Sequence, residues 1–433
     1  MNINIIGAGL AGCEACWYLS KKGYDITLYE MRPVKMTPAH KTEKFGELVC
    51  SNSLKSDSDT NACGILKREM QLLDSLIVKC AHENKVEAGG ALAVDREGFS
   101  DSITKVIKSL PNVKIVNEEV SKIDVNVPTI IATGPLTSGP LCDEIKRLFG
   151  LDDFYFFDAQ APIIYADSIN YEKAYLKSRY DKGEPSYYNC PMTKEEFDAF
   201  YDALINAECA ETHDFELKVF ESCMPVEIMA KRGPQTLTFG PMKPVGLRTP
   251  DGGKPYAVVQ LRQDDAAKTM YNIVGFQTHL KFPEQKRVFQ MIPGLENARF
   301  AKYGRMHKNT YINAPKILNP NFQTKAYPNL FIAGQLSGVE GYVESAASGI
   351  YAAVSMDRYL KGLDPIYLPR TTVLGALSHY ICEANENDFQ PMNANFGIME
   401  DLNMPHKKAN RKELYRDRAF ADFERELKKI NDN

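Results

Sequence analysis

Long apolar runs are missing from this chain of 433 residues. No stretch of 18 residues is apolar throughout, which argues against a membrane-spanning helix. The N-terminus opens directly on a strand pattern, with no leader-like segment before it. A cytoplasmic protein with no membrane partner is expected. Regular cysteine spacing is missing as well. Ten cysteines follow neither a ligand pattern nor a disulfide framework, which fits reduced thiols and no metal site. Cys13 and Cys16 form a CxxC, but inside a helical run, where packing prevails over redox chemistry or zinc. A net surplus of positive charge is missing: the net charge is −4, which alone speaks against nucleic acid. Its distribution says otherwise. Glu227 to Lys308 holds fourteen Lys/Arg against six Asp/Glu, a surplus of +8 that leaves −12 on the rest. A basic middle on an acidic chain suits a local polyanion surface, with an ordinary solvated face as the bland alternative.

What is present begins at the N-terminus. Residues 2–6 read as a buried strand, and Gly7, Ala8, Gly9, Leu10, Ala11 and Gly12 follow at once, opening a helix that ends before Gly23. Asp25 to Glu30 is a second strand with an acid at its carboxyl end. In such a βαβ unit Gly7 permits the tight turn, Gly9 lets backbone N–H groups approach a pyrophosphate, and Gly12 lets helix and strand pack closely. The helix N-terminus favours a diphosphate, and Glu30 stands where a carboxylate can accept from ribose hydroxyls. A resident dinucleotide is therefore expected.

Further along, residues 62–80 carry apolar positions at helical spacing, and Ala91–Arg96 reads as a strand leading into a helix at 99–110. Thr129–Thr137 is a buried strand running into a small-residue turn at Gly134, where the chain passes the nucleotide again. Glu195–Ala210 reads as helix. Lys231–Thr236 and Gly240–Gly246 read as loops that present Lys231, Arg232 and Lys243. Tyr256–Arg262 and Met270–Gln277 are strands of an antiparallel sheet. Asn329–Gln335 returns to a strand ending in Gly334 and Gln335, and Gly338–Gly349 feeds a helix of small residues. Two such elements far apart favour FAD over NAD as the resident cofactor. The expected fold class is α/β: a two-dinucleotide-fold, glutathione-reductase-like FAD domain with an inserted α+β domain. The expected division is 1–165 and 321–433 for the FAD domain and 166–320 for the insert. The last 28 residues read as a solvated helix.

Cys50 and Cys223 stand in loop-like contexts with polar neighbours. A thiolate can add to an activated ring carbon, yet on composition alone both cysteines read as small buried hydrophobes. Four runs change that weight: Gly46–Ser53 around Cys50, Cys223–Glu227, Gly240–Leu247, and Gly334 through Gly349. With Phe389–Asn393 they resemble the folate- and FAD-dependent tRNA (uracil-5-)-methyltransferase family, TrmFO. The resemblance covers essentially the whole chain, with no departure at the positions that matter. The larger flavoprotein of wobble-uridine modification is similar over residues 1–140 and 330–350.

The resemblance implies a methylation in which 5,10-methylenetetrahydrofolate donates the carbon and FAD, reduced by NADPH or NADH, supplies electrons. It puts the C6 nucleophile on Cys223 and the general base, or partner thiol, on Cys50. It sets the Tyr342 ring against the isoalloxazine and makes His307 a stacking partner for the folate pterin. The implied target is the T-loop uridine of tRNA, which must flip out of its loop to react. Three alternatives stand beside this: the same chemistry on ribosomal RNA, a non-catalytic flavin-containing RNA-binding protein, and a plain NAD(P)H oxidase. Oligomeric state and the choice between NADH and NADPH are not legible.

Overall fold

The computed structural model describes residues 1–151, 155–181, 184–210, 224–403 and 407–431. Five short strands build a parallel sheet: β1 (Asn2–Ile6), β2 (Asp25–Tyr29), β3 (Val113–Val116), β4 (Thr129–Ile131) and β5 (Leu330–Ile332), ordered β5-β4-β1-β2-β3. Ile3, Ile5, Ile26, Leu28, Ile130 and Phe331 point into one core and are fully or almost fully buried. Near-continuous β-branched and leucine content is what a sheet covered on both faces requires. Strand β5 arrives from the far end of the chain and lies beside β4. The C-terminal quarter thereby completes a sheet that the first third began.

Two helices carry the nucleotide-facing geometry. Helix α1 (Leu10–Lys21) leaves β1 through Gly7, and helix α2 (Tyr342–Leu360) follows β5. They cross closely because glycine stands at the contact. A Cβ on Gly349 of α2 would lie 2.2 Å from the Ala11 carbonyl oxygen of α1. Gly12 repeats the device against the sheet side, where a Cβ would fall 1.8 Å from the Gly7 oxygen.

A six-stranded sheet occupies the middle of the chain, with every described pairing antiparallel. It takes strands from Ile163–Tyr165, Tyr175–Leu176, Tyr187–Met192, Ala257–Gln263, Met270–Ile273 and Phe300–Lys302. Helices Lys194–Ile205 and Phe282–Phe289 pack on it around a separate core containing Phe197, Phe200, Phe276 and Phe289. A two-stranded antiparallel ribbon, Tyr155–Ala159 with Met306–Thr310, joins the two parts of the structure.

Three expectations are corrected. The helix expected over 62–80 is two, Ala62–Leu72 and Leu76–Glu83, broken where Asp74 takes a φ of 62°. Ser75 then caps the second helix, and the buried Glu14 carboxylate accepts from the N–H groups of Leu76 and Ile77. Hydrophobic period survives such a break, so the sequence shows one helix. The basic run at 231–236 is not a loop. It belongs to two short helices, Val226–Lys231 and Pro234–Phe239, with Gly233 at φ 120° between them and Pro234 in a first-turn position. The terminal helix Arg411–Asn431 is not wholly solvated. Tyr415, Ala419, Phe423 and Ile430 form a buried stripe against the first core.

Candidate active site

Three cavities bear on the site, one at the end of the parallel sheet and two where it meets the middle section. The first, about 80 Å³, lies at the carboxyl ends of β1, β2 and β4 and is lined by Gly7, Gly9, Glu30, Arg32, Thr133 and Ser138, among others. Gly7 has a φ of 101°, and a Cβ there would meet the Ala132 carbonyl at 2.6 Å. Gly9 differs: nothing lies within 4 Å of the Cβ it lacks, so the turn leaves open space in front of its backbone. No side chain caps the N-terminus of α1 at Gly9, which leaves first-turn N–H groups for an anion. Ala8, Leu10, Ala11 and Gly12 do not line this cavity; they are buried behind it and shape the turn. Gly134, with φ 67°, stands between Thr133 and Pro135, which both line it.

Glu30 is more engaged than the sequence suggests. Its carboxylate accepts from the Ala8 N–H at 3.0 Å and from the Arg32 N–H and Nε at 3.0 and 2.9 Å. Burial works to raise its pKa, but the Arg32 guanidinium and these N–H groups outweigh it and hold the carboxyl below its usual range. It ties the glycine turn to β2 and still borders the cavity.

The second cavity, about 270 Å³, brings together residues from both ends of the chain and from the middle: Cys50, Lys55, Gln277, Gln335, Glu340 and Tyr342. Cys50 is half-buried, and its backbone N–H donates to the Tyr342 hydroxyl at 2.6 Å. Gln335 donates through Nε2 to Glu340 at 2.6 Å. Gly334, at φ 75°, turns the chain out of β5 so that Gln335 can face the cavity. Behind the wall lies Glu344, a fully buried carboxylate that pairs with Lys55 at 2.7 Å and accepts from the Ala394 N–H. Its second oxygen has no hydrogen-bond partner among the described residues. A cavity edged by a helix N-terminus, a positive-φ glycine and a tyrosine is the right container for a planar, polar ring system. These residues fit FAD.

The third cavity, about 490 Å³, adjoins the second at Val49 and is lined by Lys41, Lys44, Arg96, Asp264 and Lys302, among others. Arg96, Asp264 and Lys302 were given no role by the sequence. Arg96 forks onto Asp264 at 3.0 and 3.1 Å while donating to the carbonyls of Leu48 and Cys50 at 2.8 and 2.9 Å. The available signal was an arginine at a strand-to-helix turn, directly after Asp95, which caps the helix at Gly98.

Other candidates fall elsewhere. Lys231, Arg232 and Lys243 are exposed. His307 lies on the connecting ribbon, in register with Asp158; its side chain, like the whole of Cys223, is outside the described residues. Cys13 and Cys16 are buried on α1, and burial pushes the Cys16 thiol up to about 12. No helix in the described residues is long and apolar enough to cross a membrane.

Residues 2–364 match the family described as glucose inhibited division protein A. The chain is 59% identical over 421 residues to the methylenetetrahydrofolate–tRNA-(uracil-5-)-methyltransferase TrmFO of Bacillus cereus strain Q1, covering 96% of this chain and 97% of that protein. The same identity and coverage relate it to TrmFO of Bacillus anthracis strain CDC 684. The chain belongs to the TrmFO family. In three dimensions it is similar to Aquifex aeolicus GidA in two crystal forms, each with a TM-score of 0.73 over 99% of this chain. Those chains are 17% and 16% identical and are covered to 73% and 76%, so the likeness is one of fold.

Proposed function

We propose that this chain methylates C5 of the T-loop uridine of tRNA, with 5,10-methylenetetrahydrofolate as carbon donor and NADPH or NADH as reductant. The observation that carries the reading is the Cys50–Tyr342 hydrogen bond in the lining of the second cavity. It sets a thiol-bearing loop against the N-terminus of α2, where Gln335 and Tyr342 would hold a flavin ring. Gly7, Gly9 and Glu30, with the turn at Gly134, would hold the rest of FAD along the first cavity, with Gly334 turning the chain between the two cavities. Bound there, FAD would supply the electron pair that converts a methylene into a methyl group.

Uracil C5 becomes nucleophilic only when a thiolate adds at C6, because the enolate then carries charge onto C5. The family match supports Cys223 for that addition. Cys50, at the cavity edge, would remove the C5 proton after the carbon is transferred, so that elimination of the C6 thiolate restores the ring. His307 would stack on the pterin. Lys231, Arg232 and Lys243 would hold RNA phosphates while the uridine flips outward.

The test is direct. Flavin-loaded protein, an unmodified tRNA transcript, methylenetetrahydrofolate and NADPH should give one 5-methyluridine, located in the T loop by fragment mass mapping. Absence of methylation at any uridine under those conditions overturns the reading, and methylation outside the T loop overturns the target.

A further inference from the structure

The segment that carries Cys50 forms no regular secondary structure at residues 48–52, yet four of its successive backbone groups are bound by side chains. Arg96 takes the carbonyls of Leu48 and Cys50 at 2.8 and 2.9 Å. Lys302 takes the carbonyl between them, that of Val49, at 3.0 Å. Tyr342 accepts from the Cys50 N–H at 2.6 Å. The three side chains come from three places: the first residue of the helix Arg96–Lys108, the antiparallel-sheet strand Phe300–Lys302, and the start of α2. Asp264, at the end of strand Ala257–Gln263 and nearly fully buried, fixes the Arg96 fork.

We propose that Lys302 and Arg96 are positioning residues for Cys50, acting as a two-cation clamp that aims its thiol into the second cavity and favours the thiolate. The proposal rests on the reading of Cys50 as the base. Arg96 is balanced by Asp264. Lys302 makes no ion pair among the described residues, so its charge is not neutralised by a partner of its own. Burial, with Arg96 and Lys41 close by, lowers its pKa to about 8, while Cys50 and Asp264 work in the opposite direction. The groups that face it are therefore Arg96 and Lys41, which repel its charge, and Cys50 and Asp264, which attract it. Cations beside a thiol lower its pKa, and only the thiolate takes a proton or attacks an electrophile. The hydrogen bond to the Val49 carbonyl offsets part of the cost of holding an ammonium half-buried.

The experiment is the pH dependence of Cys50 alkylation by iodoacetamide in the flavin-loaded full chain, with the modified cysteine read by peptide mass. In this reaction the Cys50 sulfur–carbon bond forms as iodide leaves. Lys302→Met should raise the midpoint by about one unit and slow alkylation at pH 7 about ten-fold. It should lower kcat for methylation with the KM for tRNA unchanged. Lys302→Arg should restore the midpoint, as a purely packing role would not require. Arg96→Lys keeps the charge but cannot span two carbonyls, so its midpoint should hold while kcat falls. A Lys302→Met profile that superimposes on the parent overturns the clamp, and so does full kcat in Arg96→Lys. Where Lys302→Met yields too little flavin-loaded protein, Lys302→Gln is read by the same criteria. Cys50→Ala separates the two readings. If it methylates normally, the base assignment fails while the alkylation profile still decides the clamp.

Discussion

Cys50 and Tyr342 stand 292 positions apart in the chain, and a 2.6 Å hydrogen bond from the Cys50 N–H to the tyrosine hydroxyl joins them. The thiol loop is thereby tied to the first residue of the helix after β5. Tyr342→Phe keeps the ring and deletes the acceptor. An unmet N–H costs about 1–3 kcal/mol where water cannot reach it, and this loop is only half-buried. We expect flavin content to be retained and kcat to fall about ten-fold, the equivalent of about 1.4 kcal/mol on the barrier. Flavin absorbance and single-turnover methylation check both halves.

The glycines of the first turn should separate cleanly by role. A Cβ on Gly9 meets nothing within 4 Å, whereas one on Gly12 would fall 1.8 Å from the Gly7 oxygen. Gly9→Val should therefore fold with an unchanged far-ultraviolet spectrum and lose flavin. Gly12→Val should lose folded yield instead. A yellow, stoichiometric Gly9→Val protein removes the diphosphate from this turn.

A pH effect on stability is expected from His279. It is nearly buried, and its Nδ1 lies 2.7 Å from the Glu227 carboxylate. Burial lowers its pKa, but hydrogen bonds to Cys209 and Glu227 win and lift it to about 9. A folded value above the unfolded one means that the stabilisation is whole below about 6.5 and is lost as pH rises through 9. The loss should reach about 3 kcal/mol at most. Denaturant midpoints taken from pH 6.5 to 9.5 should fall in the parent and stay nearly flat over that window in His279→Gln.

The exposed cations at the end of the first short helix and in the loop after the second predict a salt effect. Lys231, Arg232 and Lys243 are exposed, and each phosphate contact adds to the slope of log affinity against log salt. Lys231→Glu with Lys243→Glu should weaken tRNA binding at low salt, flatten that slope, and leave flavin content alone. Filter binding across a salt series measures all three. Salt-insensitive binding by the parent removes the polyanion surface from this section.

Local rules made part of this architecture legible. Gly7 and Gly12 each leave no room for a Cβ beside near neighbours, so strand, turn and helix α1 lie where the spacing puts them. The antiparallel middle sheet was visible in the strands around Val259 and Tyr271. The break at Asp74 was not, because a single residue at positive φ leaves the apolar period intact on both sides. Arg96, Asp264 and Lys302 were invisible for another reason. Their meaning lies in carbonyls of residues 48 to 50, between 46 and 253 positions away, and no local pattern encodes such a pairing. The buried stripe of the last helix could have been read from Tyr415, Ala419, Phe423 and Ile430, whose spacing keeps them on one face. Its surrounding charge hid it.

The last prediction divides labour between the thiols. If Cys223 adds at C6, tRNA carrying 5-fluorouridine at the target should trap the parent protein, because fluorine cannot leave C5 as a cation and the adduct cannot resolve. The trapped species would run as a slower band on a denaturing gel. Cys223→Ala should bind flavin and tRNA yet give no such band. If Cys50 is the base, Cys50→Ala loses only that step, so addition at C6 should persist and some adduct should form, with no methylated product from ordinary tRNA. The structure gives Cys50→Ala a reason to be well folded: the loop is held by backbone bonds to Arg96, Lys302 and Tyr342, none of which uses the sulfur. If Cys223→Ala traps the fluorinated RNA while Cys50→Ala does not, the two roles must be exchanged. If both variants methylate normally, neither thiol takes part in the reaction.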